Sequence, residues 1–371
     1  MSESDLPGLV AQVLGATFAL AVVFGAIAQR TQFCTMGAVA DIVIMGDWTR
    51  MRMWLMAMGV AMIGFNTMAA LGWVQAGHSL YAGPRLLWLS NLAGGLLFGF
   101  GMVLASGCAS KTLVRIGTGS LKSLVVFVVV ALAAYATLRG VTAVVRVATV
   151  DTVFVALPGG QDLPSMLAPL TGATRATLAL VLGVGLGLLL VGFALSRPEG
   201  RATNSLLAGL GLGLLVVAVW WVSGRLGHLA EHPVTLEEVF VATQTQRMES
   251  LSFVAPMAYT VDWLILFSDR SKVLTVGIVS TLGVVLGSAA VALRTRSFRW
   301  QGFSGSEDTA NHLLGAAMMG VGGVTAMGCT VGQGLSGVST LALGSFVALA
   351  GIVGGAVLAL RCQAWRLDQA A

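Results

Sequence analysis

Three cysteines occupy positions where a thiol could meet a small solute. Cys108 ends the run Gly-Phe-Gly-Met-Val-Leu-Ala-Ser-Gly-Cys, Cys329 ends the run Gly-Val-Gly-Gly-Val-Thr-Ala-Met-Gly-Cys, and Cys34 follows Arg-Thr-Gln-Phe. A neutral thiol is a weak hydrogen-bond donor, whereas a thiolate is a nucleophile. As neutral thiols these residues could donate hydrogen bonds to an anion that moves past them, and as thiolates they could form a covalent bond with a substrate. Cys362 lies beyond the last apolar run, where we expect no functional role.

The two glycine–cysteine segments are copies of one pattern. A shift of 221 positions brings seven identical pairs into register: Leu92/Leu313, Gly94/Gly315, Gly99/Gly320, Gly101/Gly322, Ala105/Ala326, Gly107/Gly328 and Cys108/Cys329. With a shift of 220, Phe33 pairs with Phe253, so Val254 stands at the position equivalent to Cys34. Duplicated patterns in a membrane protein are typical of internally symmetric channels and carriers. We therefore predict four related loop sites, three of which carry a thiol.

The composition indicates an integral membrane protein. Of the 371 residues, 56% are hydrophobic and only 10% are charged, and the mean hydropathy is +0.88. The apolar runs are about 20 residues long and do not alternate in polarity, which favours helices over a β-barrel. The basic residues flank these runs, so we interpret the net charge of +5 as an orientation signal and predict no nucleic-acid binding. The acidic start of the chain lacks a cleavage site, so we expect no cleaved signal peptide.

We predict an all-α integral membrane fold with about nine transmembrane helices and four re-entrant segments. The spans are placed at 8–28, 52–74, 88–107, 121–139, 176–195, 204–223, 273–293, 311–327 and 340–360. The re-entrant segments are apolar but too short or too broken to span, at Phe33–Met45, Cys108–Gly119, Phe253–Phe267 and Cys329–Gly337. The stretches 140–175 and 224–252 are predicted to be hydrated.

The order of the spans predicts a single membrane domain over 1–371 with an inverted internal repeat. Segment 8–139 holds four spans, 176–195 is a linking span, and 204–360 holds four more. Because one linking span is an odd number, the second repeat enters the membrane from the opposite face. Most of the 21 lysines and arginines fall on the face that holds the C-terminus. We therefore predict a cytoplasmic C-terminus and a periplasmic N-terminus.

The loop after Gly328 and Cys329 has little side-chain bulk and several hydrogen-bond donors. Backbone N–H groups, together with Thr330, Gln333 and Ser336, could wrap a small anion. Gly334 and the other glycines of this loop would equally serve close packing against a neighbouring helix. Both interpretations stay open at the level of the sequence.

Charged residues near the cysteine segments also have two interpretations each. Lys111 and Arg115 are four residues apart, so they share one helix face, where they could attract an anion or anchor the chain at the membrane surface. Asp41 and Asp262 fall within re-entrant segments, where carboxylates could couple proton movement or brace a helix end.

No template for an enzyme, a metal site or a cofactor stands out. The chain has no Walker motif, no CxxC pair and no local Cys–His pairing. His228 and His232 are four residues apart, but no third ligand is evident in the sequence. We therefore predict a transporter rather than an enzyme, with neither a cofactor nor a bound metal.

Three segments resemble the YeeE/YedE family of bacterial inner-membrane thiosulfate transporters, the sulphur-transport domain. They are Phe33-Cys34 with the following Gly-Ala, Gly107-Cys108 with Arg115-x-Gly-x-Gly, and Gly328-Cys329-Thr-Val-Gly-Gln-Gly-x-Ser-Gly. The resemblance implies nine spans and inward-folded loops that form an hourglass-like path through the inner membrane. It also implies that thiosulfate passes between Cys34, Cys108 and Cys329 by S–H hydrogen bonds. A cytosolic TusA-like or rhodanese-like sulphur carrier often accompanies the family.

The leading hypothesis is a thiosulfate uptake permease whose three thiols are neutral, because ionised cysteines would repel the anion and burial disfavours the thiolate. Several weak donors in sequence can replace part of an anion's hydration without trapping it. The chain departs from the family pattern at Lys111 and Thr112 and in its long loops 140–175 and 224–252, so another sulphur or selenium species could be the substrate instead. A membrane-embedded thiol enzyme or sulphurtransferase is a competing hypothesis, and a structural or sensing membrane partner is a third.

Overall fold

A computed structural model describes residues 5–233 and 236–370. Within them the fold is mainly helical, and two small antiparallel sheets, each of two two-residue strands, lie in the connections. The helices, in chain order, are α1 (Leu6–Thr31), α2 (Thr35–Ala40), α3 (Thr49–Ala70), α4 (Trp88–Leu104), α5 (Ala109–Gly117), α6 (Leu121–Arg139), α7 (Val141–Ala148), α8 (Leu163–Thr171), α9 (Arg175–Leu195), α10 (Pro198–Arg201), α11 (Thr203–Trp221), α12 (Val254–Ile265), α13 (Val276–Arg294), α14 (Ser306–Thr325) and α15 (Leu343–Ala370).

Shorter elements complete the chain. Three π-helical turns cover Asp41–Met45, Val222–Leu226 and Gly332–Gly337, and 3₁₀ turns cover Ala76–His78 and Val150–Thr152. Strand β1 (Arg85–Leu86) pairs antiparallel with β2 (Val155–Ala156), and β3 (His228–Leu229) pairs antiparallel with β4 (Val239–Phe240).

Eight helical stretches in the described part of the chain are long and apolar enough to cross a membrane. They are Leu6–Met45, Thr49–Ala70, Trp88–Gly117, Leu121–Arg139, Arg175–Leu195, Thr203–Leu226, Val276–Arg294 and Leu343–Arg366. Each overlaps one of the predicted spans, which confirms an all-α, multi-pass membrane protein. The remaining predicted span, 311–327, falls on α14, which is also 20 residues long. Its first two turns carry Glu307, Asp308 and His312, so it is more polar than the other eight.

The four segments predicted to be re-entrant each contain a short helix. These are α2 with the π-helical turn that follows it, α5, α12 and the turn Gly332–Gly337. The stretch 140–175, predicted to be hydrated, contains the two short helices α7 and α8. Helix α7 has only eight residues and leaves Val141 and Val144 exposed, as expected of a helix that lies in a membrane interface.

The long helices pack in pairs. Helix α1 packs along α13, while α11 packs along α3; similarly, α15 packs along α4, while α6 packs along α14. Helix α9 packs on α3, and α4 crosses α14. Of the short helices, α2 packs on α3 and α15, α5 packs on α13 and α6, and α12 packs on α6 and α13.

Glycines allow the α4–α14 crossing to be close. A β-carbon at Gly101 would lie 2.6 Å from the Gly315 carbonyl oxygen, and one at Gly315 would lie 2.6 Å from the Gly101 oxygen. Gly94 and Gly322 make the same reciprocal approach, at 2.8 and 2.7 Å from each other's carbonyl oxygens. Any larger side chain would force the helices apart, as in other small-residue membrane interfaces.

Candidate anion path

Each of the three cysteines begins a helical segment. Cys34 is the N-cap of α2 and Cys108 the N-cap of α5, while the Cys329 carbonyl accepts a hydrogen bond from the Gln333 N–H at 2.7 Å. The Cys34 and Cys329 sulphurs each accept a hydrogen bond of 3.4 Å from the N–H three residues later. The thiols therefore lie at the N-terminal ends of helical segments, whose backbone N–H groups favour negative charge.

The chain reverses direction in the same way before each cysteine. The residue two positions earlier has left-handed backbone: Gln32 at φ 53°, Ser106 at φ 55° and Met327 at φ 59°. Non-glycine residues rarely adopt this conformation, so each turn has to be held by its surroundings. Before Cys108, the Arg115 guanidinium supplies part of that support, donating to the Ser106 carbonyl oxygen at 2.7 Å.

The three thiols form one buried group. Cys34 is 6% exposed, and Cys108 and Cys329 are fully buried. The Cys34 and Cys108 thiols lie within hydrogen-bonding reach of each other, and Cys329 is close enough to Cys108 for their charges to interact. Cys108 is therefore the thiol that interacts with both of the others. The structure brings together the three residues that the sequence singled out from segments up to 295 positions apart.

A buried hydroxyl beside this group has no oxygen or nitrogen partner among the described residues. Thr330 is fully buried, and its hydroxyl lies within hydrogen-bonding reach of the Cys108 thiol. Neither this hydroxyl nor the Gln333 side-chain oxygen makes a hydrogen bond to a described oxygen or nitrogen atom. The Gln333 amide donates to the Ala326 carbonyl oxygen. An unpaired buried hydroxyl is unfavourable, so the Thr330 O–H is available to donate to a bound anion.

Other residues of the same loop are used for packing. A β-carbon at Gly334 would overlap the indole ring of Trp54, and one at Gly328 would lie 3.1 Å from the Gln333 side chain. Ser336 is buried, and its hydroxyl donates to the Leu251 carbonyl oxygen at 2.7 Å. For Gly334 and Ser336 these contacts fit close packing, while Thr330 keeps a free donor.

Cationic groups lie at the Cys34 and Cys108 end of the group. The Lys111 ammonium donates to the Gln32 side-chain oxygen at 2.6 Å and is close enough to both thiols for their charges to interact. A β-carbon at Gly37 would overlap the Arg50 guanidinium, which places that cation beside α2. This end of the group therefore carries positive charge that favours an anion.

The two carboxylates of the short segments lie in ion pairs. Asp41 pairs with Arg50 at 3.3 Å, and Asp262 pairs with Lys272 at 2.7 Å. Asp41 and Asp262 are 221 positions apart, and their cationic partners are 222 apart, so the pairs occupy corresponding places. These pairs fit the bracing interpretation, and a role in proton coupling stays a prediction.

A cavity of about 170 Å³ lies against the Cys329 end of the group. Its wall includes Tyr81, Arg146, Glu249, Ser252 and Gly328, the residue before Cys329. Tyr81 hydrogen-bonds with Ser252 and is close enough to Cys329 for their charges to interact. The cavity therefore reaches the residue next to Cys329.

Sequence reasoning missed the Glu249 carboxylate in this cavity. It accepts hydrogen bonds from the Thr245 N–H at 3.1 Å and the Thr245 hydroxyl at 2.6 Å, and burial raises its pKa. The sequence predicts only hydration for the stretch 224–252, but Glu249 lies just before the fourth loop site at Phe253. That position is the signal that could have drawn attention to it.

Known transporters resemble the chain over most of its length. The sequence pattern of the family described as "Sulphur transport" matches residues 30–358. The thiosulfate transporter TsuA of Escherichia coli (strain K12) is 26% identical over 315 residues, which cover 84% of this chain and 83% of that protein. TsuA of Spirochaeta thermophila is 26% identical over 337 residues, covering 88% and 91%. A probable transporter, YedE of Salmonella typhimurium, is 34% identical over 104 residues, covering 28% and 24%.

Proposed function

The chain belongs to the sulphur transport family, and we propose that it is an inner-membrane permease for the uptake of thiosulfate. The observation that carries the substrate path is the buried group of three thiols, bordered by cations on one side and by a cavity on the other. Relatives named as thiosulfate transporters cover most of the chain and support the choice of substrate.

The proposed architecture has nine spans, with α14 as the ninth, and four re-entrant segments in an inverted repeat. The reciprocal glycine contacts of α4 and α14 support this proposal. In the repeat, Gly315 is the equivalent of Gly94 and Gly322 is the equivalent of Gly101. Two-fold symmetry therefore requires the contact between Gly101 and Gly315 to be matched by one between Gly94 and Gly322, as is found. The corresponding ion pairs at Asp41 and Asp262 support it as well. The path then narrows to an hourglass-like waist at the repeat interface, where the short helices meet.

In the proposed mechanism, the anion moves from Cys329 to Cys108 and then to Cys34. The thiols remain neutral and donate weak S–H hydrogen bonds, and the Thr330 hydroxyl adds a donor beside Cys108. Weak donors in sequence replace part of the anion's hydration without holding it tightly, which conduction requires. Lys111 then favours arrival of the anion at the far side, where a TusA-like or rhodanese-like carrier would consume it.

The direction follows from the proposed orientation. With a periplasmic N-terminus and a cytoplasmic C-terminus, the cavity at Glu249 opens towards the periplasm and Lys111 faces the cytoplasm. The potential across the membrane opposes the entry of an anion, so consumption inside the cell or proton coupling through Asp41 or Asp262 would supply the driving force.

The deciding experiment is growth and labelled uptake in a host that lacks its own thiosulfate transport. The wild-type chain should restore growth on thiosulfate as the sole sulphur source, while Cys34→Ala, Cys108→Ala and Cys329→Ala should abolish uptake at unchanged expression. Cys362→Ala is the matched control and should transport normally, since Cys362 is exposed and outside the group.

Two different outcomes would redirect the assignment. Well-expressed wild type that does not restore growth points to another sulphur or selenium anion, which competition with labelled thiosulfate would identify. A persulfide on Cys108 or Cys329, detected by mass spectrometry after turnover, points to a membrane-embedded sulphurtransferase, because a relay of hydrogen bonds leaves the thiols unmodified.

A further inference from the structure

Three potential metal ligands meet on a connection outside the anion path. His78 ends the 3₁₀ turn Ala76–His78, His228 begins β3, and Glu238 precedes β4. Their ligand atoms all lie within 4.8 Å of one another. One oxygen of Glu238 is 2.7 Å from Nε2 of His228 and 3.5 Å from Nδ1 of His78. From these residues, we propose that the chain binds a divalent transition-metal ion of the zinc class at this cluster.

The sequence did not suggest this site because its ligands are distant in the chain. His228 and His232 had the spacing of a ligand pair, but the structure instead joins His228 to His78, which is 150 positions earlier. Among the described residues, this is the one group of three or more His, Cys, Asp or Glu side chains close enough to hold a metal ion.

The two imidazole rings are held in place before any metal binds. The ring of Phe240 stacks on His228 at 5.0 Å between centroids and makes an edge contact with His78 at 5.6 Å. A tetrahedral ion with bonds of about 2.1 Å places its ligand atoms roughly 3.4 Å apart. The two Glu238 distances, 2.7 and 3.5 Å, are near that spacing, and all three ligand atoms lie within 4.8 Å of one another.

The donor set selects the class of metal. Two imidazole nitrogens and one carboxylate oxygen suit zinc and its neighbours, whereas calcium and magnesium prefer oxygen ligands throughout. Two histidines and a glutamate also leave a fourth position for water or a further ligand. A simple hydrogen-bonded trio is the competing explanation, since the Glu238–His228 contact is itself a good hydrogen bond.

The position suggests what a bound ion would do. The His78 carbonyl oxygen accepts from the Met248 N–H at 3.1 Å, and Met248 is next to Glu249 in the cavity wall. The other ligands lie on the β3–β4 hairpin, so an ion would tie that hairpin to the turn before Tyr81. We expect the ion to stiffen the mouth of the cavity.

Zinc binding to the purified full-length chain tests the proposal. The protein is reconstituted in nanodiscs after removal of any affinity tag, and bound zinc is counted by elemental analysis after equilibrium dialysis against buffered Zn²⁺. We expect one ion per chain and at least about tenfold weaker binding in His78→Ala, His228→Ala and Glu238→Gln, because each loses a ligand. His232→Ala, a histidine of the same connection outside the cluster, should bind as the wild type does.

A second measurement needs only the wild-type protein. Zinc should protect His78 and His228 from modification by diethylpyrocarbonate, while His232 keeps its reactivity. Absence of saturable binding, or equal losses in His232→Ala and His228→Ala, would overturn the proposal and leave the hydrogen-bonded trio. Because the readout is metal content, the result is independent of whether thiosulfate is the substrate.

Discussion

At the scale of a single residue, a substitution of Thr330 should lower uptake without lowering the stability of the protein. Thr330→Val keeps the shape of the side chain but removes the hydroxyl that has no oxygen or nitrogen partner in the described structure. If this hydroxyl donates to the anion, its loss costs about 1.5–3 kcal/mol of anion binding, or roughly tenfold or more in uptake. Stability should be unchanged or rise, because a buried unpaired group is removed.

The control for this substitution lies in the same loop. Thr340 is also buried, but its hydroxyl donates to the Gly337 carbonyl oxygen at 2.7 Å. Thr340→Val should therefore lower the thermal unfolding temperature and leave the uptake of the folded protein nearly unchanged. Equal uptake by Thr330→Val and wild type would remove Thr330 from the anion path.

The raised pKa of Glu249 predicts that uptake depends on pH. Its pKa is raised by burial, so part of the population stays neutral in conditions where an exposed glutamate is ionised. An ionised Glu249 in the cavity would repel an anion. Uptake should therefore fall as pH rises through this raised pKa, by at most about tenfold per pH unit because a single proton is involved.

The groups around Glu249 do not reverse the expected fall of uptake with rising pH. Tyr81 and Tyr259 lie beside it, and Arg146 on the same cavity wall is paired with Asp151 at 3.2 Å. Glu249→Gln should remove the decline of uptake at high pH, whereas Glu237→Gln, in the exposed part of the same connection, should keep it. A decline that survives in Glu249→Gln would assign the pH dependence to another group.

At the scale of the elements, the close packing of α4 and α14 predicts that a larger side chain between them lowers the free energy of unfolding. A β-carbon at Gly101 would lie 2.6 Å from the Gly315 carbonyl oxygen, so Gly101→Val has to separate the two helices. We expect a loss of about 1–3 kcal/mol in the free energy of unfolding, as for other overpacked sites. Thermal unfolding in detergent, followed by size-exclusion chromatography, measures this loss.

Gly192 on α9 provides the matched control. A β-carbon there would meet no atom within 4 Å, and the residue is exposed. Gly192→Ala should be neutral or stabilise the chain by up to about 1 kcal/mol, because alanine favours helix more than glycine does. A Gly101→Val protein as stable as wild type would mean that the helices tolerate separation.

Local patterns explain which elements could be predicted from the sequence. Long apolar runs such as 121–139 predict a span from hydropathy alone, and the glycine–cysteine runs predict the loops that follow them. Helix α7 is too short and too mixed in polarity for such a signal. The place of Lys111 beside the thiols could be predicted because it is close to Cys108 in the sequence. Glu249, Tyr81 and His78 reach their sites only through tertiary contacts, which cannot be read from one sequence.

At the scale of the whole molecule, features that did not enter the prediction of an internal repeat recur at the same spacing. The left-handed residues Ser106 and Met327 are 221 positions apart, as are Asp41 and Asp262. This recurrence of backbone conformation and of ion pairs supports the proposed internal repeat. Four of the seven identical pairs in the predicted repeat are glycines, and Gly94, Gly101, Gly315 and Gly322 all lie where a β-carbon would overlap the facing helix.

The proposed orientation of the chain in the membrane sets the direction of transport, and one variant tests it. Gln244→Cys puts a new thiol on the exposed connection near the cavity, while native Cys362 provides an exposed thiol on α15. With a periplasmic cavity and a cytoplasmic C-terminus, a membrane-impermeant maleimide should label Gln244→Cys in intact cells whose outer membrane is opened. Cys362 should react only after the inner membrane is permeabilised. Because both thiols are in one molecule, differences in expression cancel. Labelling of Cys362 first would reverse the orientation and, with it, the order in which an anion meets Cys329, Cys108 and Cys34.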